Sequence, residues 1–587
     1  MTLDFFVVVS TLEKMEKTSS RLELTDHLVA LFKNTPPQIL DKVIYLIQGK
    51  IAPDYEGIEL GLAEKMVIRA IANSSAVTNE EIYQIYRKTG DLGDTAKIIM
   101  EKKMQTTLTS EKVTVERISA TFDKISKTVG KGSQEVKLRL LSSLLNDATP
   151  NECRYIIKFA LGTLRLGVAD YSILDALSIA FAGEKKHRHV LEAAYNVSSD
   201  LGRVGRLLAT EGRSAVATTK IQLFRPIRAM LAERVRTPQE VLDKMNGKTA
   251  AEFKLDGERV QIHTGAGRTL IFSRRLENIT TYYPDIVNII NKSKLKNTIF
   301  EAEVVAIHEN SGEYLPFQEL MHRRRKYNIQ EAVTKYPISL NLFDVLYKDG
   351  QDKTNLPYTD RRAMLESLVR KTSGSMVKII PQKIVDNTKN IERFMSEAIV
   401  AGCEGLMLKQ LDSSYRAGAR GFAWIKIKRE YRSEIADTLD LVVVGALFGR
   451  GRRTGSYGAL LLAAYDKESN LFKSVCKVGS GFKDEDLEML LNQLKAHVLP
   501  KRHPKVQSTL DMDAWFKPKV VIEIIASEIT LSPLYNTGMN AIRSGFGMSL
   551  RFPKFTGKIR FDKNPEDATT DAELISMYKL QLRSIKA

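Results

Sequence analysis

Apolar residues recur at helical spacing through the first part of the chain. Val136, Leu140, Leu141, Leu144 and Leu145 form one stripe, and Ile156, Ile157, Ala160, Leu161 and Leu164 form the next. Only four of the 17 prolines (Pro36, Pro37, Pro53 and Pro150) fall before residue 223. This spacing predicts an all-α domain over 1–222. From about Phe224 the period drops to two. Glu252 to Asp256 alternates polar and apolar residues, then Val260 and Ile262 lead into a Thr264-Gly265-Ala266-Gly267 turn and a second strand near Leu270–Phe272. Strands at Ile299–Ile307 and Ser339–Val345 and helices at Asp360–Arg370 and Ile391–Ala401 complete an α+β domain over 223–429. Past Lys428, three apolar runs (Leu441–Leu447, Tyr457–Tyr465 and Leu471–Val478) precede a helix near Asp484–His497. That order predicts a small β-barrel of the OB type over 430–587.

The 587 residues are too many for one core and fit a multidomain chain. The net charge of +18 fits a polyanionic partner. Three widely spaced cysteines, Cys153, Cys403 and Cys476, form neither a zinc ribbon nor a disulfide framework, so a reducing, cytoplasmic setting is expected. No apolar run is long enough to span a membrane, and Phe5–Val9 is too short for a targeting segment.

Candidate chemistry centres on Lys254-Leu255-Asp256-Gly257-Glu258-Arg259. On a strand, Glu252, Lys254 and Asp256 share one face while Phe253 and Leu255 enter the core. A lysine on a rigid strand among charged neighbours can act as a nucleophile. Taken alone, Lys-x-Asp-Gly more often describes an exposed strand lysine with an ion-pair partner. Ordered company changes that reading. Downstream lie Phe272-Ser273-Arg274, Phe300-Glu301-Ala302-Glu303, Leu342-Phe343-Asp344, Glu404 to Lys409 and Trp424 to Lys428. The C-terminal region adds Ser549 to Phe555 and Arg560-Phe561-Asp562-Lys563.

The order and spacing of these segments resemble the nucleotidyltransferase motifs of ATP-dependent DNA ligases. Met15 to Leu22, Gly130 to Gln134 and Leu164 to Gly167 extend the resemblance into the helical region. The three-part build is most similar to the archaeal replicative ligases. The resemblance implies a helical DNA-binding domain, an adenylation domain and an OB-fold domain. It implies sealing of 5′-phosphate/3′-hydroxyl nicks in replication, repair and recombination, with ATP as co-substrate and Mg²⁺ or Mn²⁺ as metal.

By the same resemblance, Lys254 is the catalytic nucleophile that takes AMP. Glu252 meets the edge of the adenine, and Phe343 stacks on the base. Arg259 and Arg274 meet the ribose or phosphates, and Lys409, Arg420, Lys426 and Lys428 supply positive charge near the phosphates. Glu303, Glu404 and Asp256 are the metal candidates, Glu303 being equally suited to the ribose. Arg560 and Lys563 are nucleotide contacts from the last domain, which is expected to swing about a hinge near Lys428–Arg432. Partners are nicked duplex DNA and the sliding clamp, for a monomeric enzyme. Gln105 to Leu108 lies where a clamp-binding peptide would, without the two aromatic anchors. Gly130–Ser133, Arg323 to Lys326 and Arg450 to Arg453 are candidate DNA-backbone contacts. RNA ligases and mRNA guanylyltransferases share the lysine core, and a binding protein that has lost catalysis is the reading from outside the enzymes.

Overall fold

A computed structural model describes residues 2–102, 111–164, 166–293, 295–308, 312–315, 317–323, 329–370, 376–428, 438–449 and 456–586. The chain divides into two compact units, residues 1–394 with 407–426, and residues 395–406 with 427–587.

The first unit begins with helices running from Phe5–Glu16 to Leu201–Ala217 around one apolar core. The first of the two expected stripes is the helix Ser133–Asp147, and the second is Pro150–Ala160. Thr149 and Glu152 close a reciprocal capping box at the start of the latter, with Pro150 in its first turn. This helix stops short of the expected Leu161 and Leu164. Gly162 takes φ +63°, and Thr163 N–H donates back to Lys158 O at 2.9 Å, so the chain leaves the helix there.

The α+β part holds two sheets. The first has the order β1-β11-β10-β2-β9, from β1 (Leu231–Arg234), β2 (Thr249–Lys254), β9 (Gln382–Val385), β10 (Gly405–Lys409) and β11 (Arg420–Lys428). The second has the order β4-β3-β5-β6-β7, with β8 beside β6. Its strands are β3 (Glu258–Gly265), β4 (Arg268–Ser273), β5 (Thr298–Ala306), β6 (Ile338–Lys348), β7 (Gln351–Asp352) and β8 (Val377–Ile379). The predicted hairpin is β3–β4, with Gly265 facing Arg268 across Ala266 (φ 48°) and Gly267 (φ 76°). Two consecutive positive φ values give the turn the twist that antiparallel strands need. Val260, Ile262, Phe300, Ala302, Leu340 and Leu342 point from the second sheet into a core covered by Ile286, Ile290 and Leu365.

In the second unit, β12 (Leu439–Phe448), β13 (Tyr457–Asp466) and β14 (Leu471–Val478) pair in series, antiparallel. Both faces of β12 are buried. Leu439, Leu441 and Val443 enter one core, and Val442 and Val444 enter another, which is why this strand is an unbroken apolar run. A further strand (Val521–Ile525) joins β12 to the strand Lys554–Ile559 that precedes Arg560, giving the expected β-rich, OB-like domain.

Candidate active site

Lys254 ends β2, half-buried. The strand alternates as expected. Phe253 packs on Phe394 with ring centroids 4.9 Å apart, Leu255 is buried, and Glu252 lies on the opposite face, two residues from Lys254. The chain then passes from the first sheet to the second through Asp256 and Gly257. Asp256 Oδ2 accepts the backbone N–H of Phe317 at 3.2 Å. A Cβ on Gly257 would stand 2.3 Å from Val304 O and 2.9 Å from Glu303 Cγ. Glycine is required here by a close backbone approach to β5, and that approach draws the Asp256–Gly257 turn against Glu303.

Glu252 is buried and saturated with donors. Its Oε1 accepts from the Tyr358 hydroxyl and from Arg362 Nη1 at 3.1 Å, and its Oε2 pairs with Lys409 Nζ at 2.6 Å. Lys409 Nζ also donates to the carbonyl of Phe343 at 3.3 Å. Three aromatic rings surround the ammonium, with centroids 4.5 Å (Trp424), 4.8 Å (Phe343) and 4.9 Å (Tyr358) away. Burial pulls the Lys409 pKa below the usual lysine range, against the opposing pull of Glu252. Burial, with Glu252 beside it, pushes the Tyr358 phenol well above its ordinary value.

Phe343 occupies a β-bulge. Ala302 faces Leu342 and Glu301 faces Asp344, so Phe343 is the extra residue of β6. Leu342 and Val345 both enter the core despite their odd spacing, and Phe343 is aimed at Lys409 and, edge-on, at Trp424 (6.1 Å, 74°). Next to it, Asp344 is locked by a two-pronged bond from Arg361, Nε–Oδ1 at 2.8 Å and Nη2–Oδ2 at 3.0 Å.

Arg259 leaves β3 toward Glu301 (Nη2–Oε2 2.7 Å), donates to Met230 O at 2.8 Å, and lies 5.4 Å from both the Phe343 and Trp424 rings. Burial disfavours its charge, but Glu301 and Tyr415 outweigh burial and hold the guanidinium above its ordinary pKa. Glu303 faces Arg259 across the β3–β5 ladder.

The remaining predicted cations divide by setting. Arg274 is exposed and, with Arg275, Arg228, Lys50, Asp54 and Asp170, lines a cavity of about 390 Å³. Arg420 is exposed at the start of β11, facing Leu231 of β1. Lys426 is half-buried, facing Arg234 across the same ladder. In the second unit, Lys428 pairs with Glu404 at 2.8 Å. There too, Arg560 and Lys563 converge on Asp440 Oδ2 at 2.7 and 2.6 Å, and Arg560 is also forked onto Asp562. Asp562 and, behind it, Asp440 hold the Arg560 guanidinium above its ordinary pKa. Among the described residues no group of three or more His, Cys, Asp or Glu side chains is arranged to hold an ion. Glu303 lies against Gly257, the neighbour of Asp256, and two such carboxylates would suit a metal bound largely through phosphate oxygens and water.

Family models match three stretches: "DNA ligase N terminus" over residues 4–178, "ATP dependent DNA ligase domain" over 229–428, and "ATP dependent DNA ligase C terminal region" over 453–563. The DNA ligase of Nitrosopumilus maritimus is 53% identical over 99% of this chain and 98% of its own. That of Cenarchaeum symbiosum is 51% identical over 99% of both. The chain belongs to the ATP-dependent DNA ligases. The solved structure titled "Pmar-Lig_PreS3" shares the fold, at TM-score 0.55 and 18% identity over 94% of this chain and 99% of that one. ATP is therefore the co-substrate of this ligase and nicked DNA its substrate. Use of a divalent metal and roles in replication and repair are general to the family.

Tyr358, Arg362 and Tyr415 stand outside the expected motifs of this ligase, and Glu301 stands inside one without an expected role. Arg361 and Arg362 on the helix Tyr358–Val369 are both buried. The fold brings Asp344 to Arg361 and Glu252 to Arg362, while Glu366, one turn along the same helix, also accepts from Arg362 at 2.9 Å. Arg323, expected on a DNA-facing basic cluster, is instead buried, paired with Asp285 at 2.7 Å and set against the Tyr283 ring. Its companions Arg324 to Lys326 lie outside the described residues, as do Arg450 to Arg453, Gln105 to Leu108 and the expected hinge beyond Lys428. Gly130 and Gly132 precede the helix Ser133–Asp147 with φ of 91° and 82°, and a Cβ on either would stand in open space.

Proposed function

We propose that Lys254 is the residue charged with AMP. The observation that carries this reading is the placement of Lys254 two residues along β2 from Glu252, which Lys409 ties to the bulged Phe343. An acceptor for a base edge and a ring for a base face are thus linked, with an amine next along the same strand. In this reading Glu252 and Phe343 hold the adenine, and Arg259, fixed by Glu301, borders the ribose. The Lys254 amine attacks the α-phosphorus and pyrophosphate leaves. The DNA 5′-phosphate then displaces lysine to take AMP, and the 3′-hydroxyl displaces AMP as the nick closes.

Arg274, Arg420, Lys426 and Lys428 serve the phosphates, and Arg560 and Lys563 serve the charging of lysine. Asp256 and Glu303 would hold Mg²⁺ or Mn²⁺, with Glu404 as the third candidate. Such an ion neutralises charge on the transferring phosphoryl group. Domain bounds of 1–222, 223–429 and 430–587 accommodate the three family-model matches. A monomeric, cytoplasmic enzyme with the sliding clamp as a further partner completes the proposal. Its three free, buried cysteines suit a reducing compartment, and among the described residues no helix is long and apolar enough to cross a membrane.

Incubation with α-labelled ATP and Mg²⁺ followed by a denaturing gel tests the central assignment. Label is expected on the protein, lost in Lys254→Ala and discharged by nicked DNA. Undiminished label on Lys254→Ala sinks the assignment, and equal discharge by nicked RNA would move the enzyme toward RNA ligation.

A further inference from the structure

We propose that Lys409, with Tyr358, is a positioning residue that couples Glu252 to Phe343 and thereby sets how tightly and how selectively the ligase holds the adenine base. This inference rests on the reading of Glu252 and Phe343 as the base site.

A phosphate-facing role does not suit Lys409. The residue is 1% exposed, and its ammonium is spent on Glu252 Oε2 (2.6 Å) and the Phe343 carbonyl (3.3 Å). The three rings at 4.5 to 4.9 Å hold the ammonium in a cage built from separate elements. Phe343 comes from β6, Trp424 from β11 and Tyr358 from the helix Tyr358–Val369. Lysine is suited to this place because it is a compact point charge on a thin stem. A caged ammonium cannot follow a moving phosphate. It can fix the two atoms it touches, one on each residue assigned to the base.

The donor pattern on Glu252 adds selectivity. Oε1 already accepts from Tyr358 and Arg362, and Gln382 Nε2 donates to the Tyr358 hydroxyl at 2.7 Å, holding that hydroxyl in place. Oε2 receives Lys409 alone among the described donors, and so has a lone pair for one more. Adenine offers an amine at its six position. Guanine offers a carbonyl oxygen there, which would meet the carboxylate acceptor to acceptor. A buried acceptor whose partner is missing costs more than a lost contact, so a carboxylate held in one orientation discriminates strongly. Loosening Glu252 lets it turn away and weakens that discrimination.

Lysyl-AMP formation is measured with Lys409→Met and Tyr358→Phe in the full chain. Lys409→Met fills the cage without charge, and Tyr358→Phe removes one hydroxyl and should keep the fold even if the first variant does not. The KM for ATP is expected to rise about tenfold or more in Lys409→Met and about threefold in Tyr358→Phe, with kcat changed by less than about twofold. The preference for ATP over GTP should narrow in both. A merely structural role predicts instead a falling Tm with fewer active molecules, that is, a lower kcat at unchanged KM and unchanged nucleotide preference. That outcome overturns the proposal, as does an unchanged KM. Phe343→Ala runs beside them. If it raises KM while Lys409→Met and Tyr358→Phe do not, the positioning role alone fails. If Phe343→Ala also leaves KM unchanged, the base-site reading fails first and the coupling falls with it.

Discussion

Two charged regions of the first unit follow opposite designs. Around Glu252, Asp344, Arg361, Arg362 and Lys409, every charge is buried and met by a partner drawn from another element. Around Arg274 and Arg420, the guanidinium groups are exposed, and among the described residues neither forms an ion pair. Buried charges are expensive to desolvate and are held only where geometry satisfies them. Their value lies in a fixed shape, which suits a base that is the same in every turnover. Exposed arginines cost little and adapt, which suits phosphates of a DNA backbone that arrive from any sequence. The contrast teaches that the numerous cations of this chain are not one population. Some are consumed by buried carboxylates and others face solvent.

That comparison can be broken or sharpened experimentally. Lys254→Ala, two residues along β2 from the buried Glu252, should abolish lysyl-AMP entirely, read by labelled ATP on a gel; sealing of DNA already carrying AMP at its 5′ end should survive. Next in size, Asp344→Ala strips the partner from the fully buried Arg361. A loss of about 3–5 kcal/mol of stability is expected, measured by denaturant unfolding. A change under 1 kcal/mol would place that pair with the exposed cations. Arg274→Ala should leave lysine charging intact and slow the sealing of nicked DNA by about 10- to 100-fold, as loss of a charge-assisted phosphate contact would. Equal loss in both steps would move Arg274 into the buried class. Arg420→Ala should weaken DNA binding modestly and make the slope of log K against log salt shallower by about 0.9.

The smallest effect concerns His263, an internal group with no charge partner. Its Nδ1 accepts the Phe224 backbone N–H at 2.9 Å, its Nε2 meets Gln261 at 2.9 Å, and burial depresses its pKa from 6.5 to about 3. Between those two values the unfolded chain binds a proton that the folded chain refuses. Stability is therefore undiminished by this group above pH 6.5 and falls as pH drops toward 3. In His263→Gln, the decline of Tm between pH 6.5 and 4 should be shallower than in the parent, and parallel curves would remove His263 as its source.

The strand placement of Glu252 and Lys254 was legible because its spacing is local. Period-two alternation put Phe253 and Leu255 inside and left Glu252 and Lys254 on the other face, and Thr264 to Gly267 announced the β3–β4 turn. The helix end at Ala160 was misjudged because an apolar stripe can run on past Gly162 into a loop that still packs on the core. The aim of Phe343 was hidden for a different reason. A β-bulge breaks the period that sequence reading relies on, and its position is set by pairing with β5, far away in the chain.

The sequence by itself determined which chemical groups this ligase owns, in what order, and on which kinds of element. Only the tertiary structure decided which of them are free to meet a substrate and which are consumed by one another. Lys409 and Arg323 look in sequence like the exposed cations and are buried partners instead, because whether a charge faces water or a carboxylate depends on elements dozens of residues distant.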